Sequence, residues 1–398
     1  MASEIQCWQW SDGDSLQYEM TKLGRFITLM IVPLLAACGS GQSSPRDSEK
    51  SSLKEISIRH AKLIRMEESE QGLRVTIKNP WDTTKILSRY LLVEDEKRVN
   101  EKGTVTIQVP LRRSVLFSGV HASLLSELGI DSEILGICDT QYLHDTILGK
   151  RIREGLIKDC GSSMQPIVEK ILSLKPDGII LSPYEDGSGG ATLRTSGIPL
   201  VMAADYMEST PLGRAEWMRF YGRLFGVGDK ADSLFAQTEK EYIKTRNEAH
   251  AAAKGDGQPR ILFDRIYGHE WSVPTSGSVM GIMIKDAGGS NPFELLGQRG
   301  SAQLSPERVL HSGSSADIWL IRYNQAQELT LQELSKENEA YTRIKAFRNG
   351  DVYGSDTMKT NIFEDGAFHP QRILAEMAYL FHPTRMKEPE QRYYHKLK

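Results

Sequence analysis

The sequence predicts an α/β protein with two lobes, each built on a parallel sheet. A long helical segment joins the lobes, and a β-rich extension precedes them. Three observations carry this reading. Strand-like and helix-like runs alternate twice along the chain, the pattern of parallel sheets with right-handed crossovers. Some forty residues of nearly continuous helical pattern separate the two alternations. Residues 53–110 hold only short alternating runs with polar turns between them.

The chain opens on segments that belong to export rather than fold. From Phe26 to Leu35 about ten residues are apolar or small, half of the ~20 that a bilayer-spanning helix needs. Lys22 and Arg25 precede them and Leu35-Ala36-Ala37 follows, the layout of a secretory signal. The finish, Leu35-Ala36-Ala37-Cys38-Gly39, resembles the bacterial lipobox, which implies that Cys38 is lipidated and becomes the first residue. Residues 1–19 fit no export signal, so Met20 is the expected start, within a leader of 1–37. Residues 38–52 read as a lipidated, Ser/Gly/Pro-rich flexible tether.

In the extension, "ISIRHAKLIRM", "LRVTIKN", "RYLLVED" and "GTVTIQVP" read as strands. The first lobe, 111–207, alternates "SVLFS", a helix "HASLLSELG" ending at Gly129, "EILGIC", a helix "QPIVEKILSLKP", "GIILSP" and "IPLVMA". In the segment 208–257, Trp217, Phe220, Tyr221, Leu224 and Phe225 form an apolar stripe at helical spacing, followed by a charged helical run. The second lobe, 258–383, has strands "RILFDRI", "DIWLIRY" and "GDVYGSD". Its helices are "SVMGIMIKDAGG", "SPERVLHSG" and "HPQRILAEMAYLFHP", and 384–398 read as a polar tail.

Composition narrows the function. The 398 residues carry 49 Lys and Arg against 52 Asp and Glu, a net charge of −3, so no basic footprint argues for nucleic acid. The roughly 360 residues after Cys38 suffice for two cores. Two cysteines remain in the body, Cys138 and Cys160. In an exported protein they are expected to pair, closing a loop worth roughly 3 kcal/mol, with two free buried thiols as the alternative. No dinucleotide or phosphate-binding glycine motif appears, and no G-x-S-x-G; "YGHEW" lacks the second histidine of a zinc protease. No catalytic residue, resident metal or cofactor is therefore assigned. A surface-anchored hydrolase with a site of scattered residues stays as the enzymatic alternative.

Two blocks carry a family likeness. "RRSVLFSGVHASLLSELG…EILGICD…CGSSMQPIVEKILSLKPDGIILSP" resembles the first lobe of the periplasmic binding proteins of ABC importers for siderophores, haem and cobalamin. "IMIKDAGGSNPF…LSPERVLHSGSSADIWLI" resembles their second lobe. The likeness covers about 111–383 and leaves 53–110 without a counterpart. It implies two Rossmann-like lobes on a rigid spanning helix and a monomeric protein at the cell envelope, facing the periplasm. It also implies capture of a metal chelate or tetrapyrrole for an ABC permease. An iron(III)–siderophore complex is favoured, with haem or a corrinoid as the alternative. The family's permease-docking glutamates fall on Glu169 and Glu307.

Ligands of α/β sheets sit beyond the carboxyl ends of the strands. The candidate ligand-binding residues are therefore Ser118, His121 and Tyr184, with Pro183 and Glu185 beside it, then Tyr206, Tyr267, Trp271 with His269 nearby, Arg322 and Tyr323. Aromatic faces with a guanidinium suit a large, flat or anionic guest. The stretch "EDGSGGATL" reads as a plain loop.

Overall fold

The computed structural model describes residues 54–94, 101–183, 190–293, 300–390 and 392–398. The leader, the tether with Cys38, and Tyr184 lie outside the described residues. Among those described, no helix is long and apolar enough to cross a membrane.

The extension forms a five-stranded sheet, β1 (Lys54–Ile56), β2 (Ile64–Ser69), β3 (Gly72–Lys78), β4 (Ile86–Val93) and β5 (Val105–Gln108), in that spatial order. The first four strands are antiparallel and β5 runs parallel to β4. Period-two alternation puts Ile64, Met66, Val75, Ile77, Tyr90 and Leu92 on one face. That face shares a core with Trp217, Phe220 and Leu224 of the helical segment, so the extension completes the first lobe.

"ISIRHAKLIRM" is not one strand. Its middle turns aside, and the backbone N–H groups of Arg59, His60 and Ala61 donate to the buried Glu216 carboxylate at 2.7–3.1 Å. Those of Lys62 and Leu63 donate to Glu208 at 2.9–3.0 Å. Five donors that a strand would have given to a neighbour instead solvate two buried charges, which only paired or hydrogen-bonded groups can remain.

The first lobe runs β6 (Ser114–Leu116), α1 (Gly119–Glu127), β7 (Ile134–Ile137), α2 (Thr146–Arg153), β8 (Lys158–Asp159), a hairpin β9 (Gly161–Ser162) and β10 (Gln165–Pro166), α3 (Val168–Ser173), β11 (Gly178–Leu181), α4 (Gly190–Thr195) and β12 (Leu200–Met202). The main sheet is fully parallel with spatial order β12-β11-β6-β7-β8. Strand order thus reverses between β6 and β11, the switch point of a Rossmann-like sheet. The second half of "EDGSGGATL" is helix α4 rather than loop.

The expected Cys138–Cys160 disulfide is not formed: both are buried free thiols. They follow β7 and β8, and each S–H turns to a carbonyl, Cys138 to Cys160 at 3.8 Å and Cys160 to Lys158 at 3.6 Å. They fill an apolar layer with Val115, Phe117, Ile171 and Ile179. Burial pushes the Cys160 thiol up to about 11, which keeps it protonated and inert.

The helical segment comes in three pieces, α5 (Pro211–Glu216), α6 (Met218–Leu224) and α7 (Gly228–Asp256). Gly226, at φ +73°, ends α6 where a side chain would be strained. The 29 residues of α7 span ~44 Å. Its Ala231 and Phe235 belong to the first lobe's core, and its Tyr242 and Ala249 to the second's. One helix is anchored in both lobes.

The second lobe holds β13 (Ile261–Phe263), β14 (Ile266–Tyr267), β15 (Glu270–Pro274), α8 (Val279–Asp286), β16 (Ser301–Leu304), α9 (Pro306–Gly313), β17 (Ile318–Tyr323), α10 (Leu331–Glu337), α11 (Lys345–Asn349), β18 (Val352–Asp356), α12 (Ile362–Phe368), α13 (Pro370–Phe381) and β19 (His395–Lys396). β13, β17 and β18 are parallel. β19 adds an antiparallel edge, so the 384–398 segment is not a free polar tail; Tyr393, Tyr394 and Leu397 are buried. "RILFDRI" splits at Asp264, and β14-β15-β16 make a separate antiparallel sheet.

A candidate ligand-binding cleft between the lobes

A cavity of about 790 Å³ opens between the lobes, at the carboxyl ends of both parallel sheets. Phe117 and Ser118 after β6, and Ser182 after β11, flank the switch point at its floor. Ser118 caps α1, accepting a hydrogen bond from the Val120 N–H at 3.2 Å. One turn on, His121 Nε2 lies 2.9 Å from Asp205 Oδ1. The Tyr221 hydroxyl donates to the same oxygen at 2.7 Å, and Arg214 Nε sits 3.8 Å from Oδ2. Burial alone would raise the Asp205 carboxyl. His121, then Arg214 and Tyr221, outweigh burial and hold it below the usual carboxylate range. Burial and Asp205 push the Tyr221 phenol well above its ordinary value.

On the second lobe's wall, Arg322 makes a bidentate pair with Asp264, Nε to Oδ1 at 3.2 Å and Nη2 to Oδ2 at 2.5 Å. The guanidinium lies 4.8 Å over the Phe263 ring. Arg265 pairs with Glu337. Asp264 has a left-handed backbone, φ +55°, and so does Asp139 after β7 in the other lobe. Such positions in non-glycine residues are uncommon, and Asp tolerates them better than most.

The lobes touch at the cleft's edge. The His144 N–H donates to Glu364 at 3.2 Å and its ring Nε2 to the Thr357 carbonyl at 3.2 Å. Burial raises the Glu364 carboxyl, and His144 only partly opposes it. Behind this contact His369 Nε2 lies 2.5 Å from Glu127, and Arg372 lies 3.5 Å from it.

Six candidates chosen from the sequence line this cavity: Ser118, His121, Tyr206, Tyr267, Arg322 and Tyr323. Tyr323 is nearly buried, with its hydroxyl 3.2 Å from His395 of the carboxyl-terminal segment. Trp271 does not line it. Its ring is wholly buried, packed 5.6 Å from Tyr341 and 5.9 Å from Trp319, and its indole N–H donates to the Phe263 carbonyl at 3.0 Å. As the second residue of β15 it faces inward, and its neighbour Ser272 reaches the cleft. The sequence reading missed Asp139, His144, Asp205, Arg214, Asp264 and Arg265. Asp139 directly follows the predicted strand "EILGIC" and Asp205 lies just past "IPLVMA", a signal that was there to use, whereas Asp264 and Arg265 fell inside the predicted strand "RILFDRI". His144 and Arg214 gave none.

Glu169 and Glu307 stand exposed in the first turns of α3 and α9, one in each lobe, and neither makes an ion pair among the described residues. Helix N-termini favour such carboxylates, and Glu307's own backbone N–H, then the Ser305 side chain, hold its carboxyl low.

Residues 122–357, more than half of the chain, match the family described as Periplasmic binding protein. An uncharacterized lipoprotein of Methanocaldococcus jannaschii is 26% identical over 328 residues, 79% of this chain and 74% of that protein. A periplasmic heme binding protein from Pseudomonas aeruginosa superposes with a TM-score of 0.57 at 20% identity, covering 72% of this chain and 98% of that one. An ABC-type Fe3+-hydroxamate transport protein from Saccharomonospora viridis does so with a TM-score of 0.52 at 17% identity, covering 68% and 93%. Twin parallel-sheet lobes on a spanning helix, a cleft at their strand ends and a match of this extent lead to one conclusion: the chain belongs to the periplasmic binding proteins, a family of binding proteins rather than enzymes.

Proposed function

We propose that this protein captures an iron(III)–siderophore-type chelate in the interlobe cleft and delivers it to an ABC permease. The observation that carries the reading is the cleft itself. At about 790 Å³ it suits a bulky guest, and its walls combine Tyr206, Tyr267 and Phe363 with three arginines. Haem is the alternative that the tyrosines favour, since a phenolate can ligate its iron; a corrinoid needs the same room. Exposed Glu169 and Glu307, one per lobe, would meet permease arginines, setting register and steering encounter. Lipidation of Cys38 would hold a monomer at the envelope with the cleft facing the periplasm.

The test is titration with ferric siderophores, haemin and cyanocobalamin, following tryptophan fluorescence. One class binds at micromolar affinity or better; none doing so removes the ligand assignment.

A further inference from the structure

We infer, building on that reading, that the cleft selects chelates that are neutral or cationic overall and excludes strongly anionic ones. The inference comes from the charges the walls present and how they are already spent. Three guanidiniums line the cavity, and each faces a carboxylate: Arg214 with Asp205, Arg265 with Glu337, Arg322 with Asp264. An anionic guest could engage any of them only by sharing it with the acid already there. Beyond these pairs the described lining holds two further carboxylates, Asp139 and Glu364, and no lysine. Counting Asp, Glu and Arg among the described lining residues, acidic groups outnumber basic ones five to three.

Asp139 is the freest of the five. Its side chain has no hydrogen-bond or ion-pair partner among the described residues, while its backbone is pinned by the Asp139 N–H to Gly161 bond at 2.8 Å. A partly buried, unpaired carboxylate on a fixed main chain suits a guest that brings a donor or a positive charge. A trianionic ferric catecholate would instead approach like charge in a partly dehydrated site, where repulsion is strongest.

The experiment compares four probes by tryptophan quenching: a linear ferric trihydroxamate bearing a free ammonium, its N-acetylated neutral form, a ferric tris-catecholate and haemin. The ammonium form should bind about tenfold tighter than the acetylated one, the size of one charge-assisted hydrogen bond. Both should exceed the two anions. Asp139→Asn, which the left-handed backbone accepts, should erase the ammonium preference. Added salt should weaken binding of the ammonium form and leave that of the acetylated form nearly level. Tighter binding of the catecholate or haemin, or an ammonium preference surviving Asp139→Asn, overturns the charge rule while chelate capture stands. Failure of all four probes overturns the rule together with the reading beneath it.

Discussion

Asp205 shows how much of the site rests on single buried residues. It is 1% exposed and joins His121, Arg214 and Tyr221 under the cleft floor. Removing one partner of such a group leaves the others unpaired, so Asp205→Asn should cost about 3 kcal/mol, measured by urea unfolding at neutral pH. The pH dependence has a definite sign. The folded carboxyl titrates below its ordinary value of 3.8, so its contribution is complete above that value and is lost as pH falls through the lower folded one. Asp205→Asn should therefore show a shallower fall in stability below pH 4 than the parent. A parallel fall would mean Asp205 is not the group titrating. At this scale the sequence was partly legible. It flagged Arg322 and His121 by their place after strands, but placed Trp271 in the cleft. One residue of register decides which face a strand residue takes, and nothing local reveals that β15 turns its tryptophan inward.

Among the elements, the extension has the clearest physical consequence. The edge strand β12 would leave backbone groups open, and Tyr90 of β4 closes them. Its hydroxyl donates to the Leu200 carbonyl at 3.0 Å and accepts from the Met202 N–H at 2.9 Å. Burial accordingly raises the Tyr90 phenol. Tyr90→Phe keeps the ring and orphans both groups, and should lower stability by about 1–3 kcal/mol in thermal unfolding, with the fold retained. No measurable loss would mean that solvent reaches this edge. Strands β3, β4 and β5 were readable from alternation, because a half-buried sheet writes its face into the sequence, whereas "ISIRHAKLIRM" read as one strand where the chain turns aside. The extension's attachment was not readable, since the Glu208 and Glu216 clamps join residues about 150 positions apart. In the helical segment the apolar stripe stops at Phe225, so the interruption at Gly226 was legible, while its left-handed backbone and the further break at Trp217 appear only in the folded chain.

For the whole molecule, α7 and the contacts of Glu127 and His144 tie the lobes together on two sides of the cleft. A frame tied in this way favours a preformed cleft over wide closure. On the proposed function, transport depends on surfaces distant from the guest. Glu169→Ala combined with Glu307→Ala should abolish uptake of the chelate in cells and leave its affinity for the purified protein unchanged. Reduced affinity would place these side chains in the cleft, against the exposed positions they occupy. By itself the sequence determined the class of fold, the order of its parts and the family blocks, because hydrophobic periodicity and turn residues act over a few positions. Only the tertiary structure decided that Cys138 and Cys160 stay reduced and that the carboxyl-terminal segment ends in a strand. It alone showed that the cleft arginines already hold carboxylate partners. Each of these is a matter of which distant side chains meet at hydrogen-bond range, and such meetings are set by packing over the whole chain.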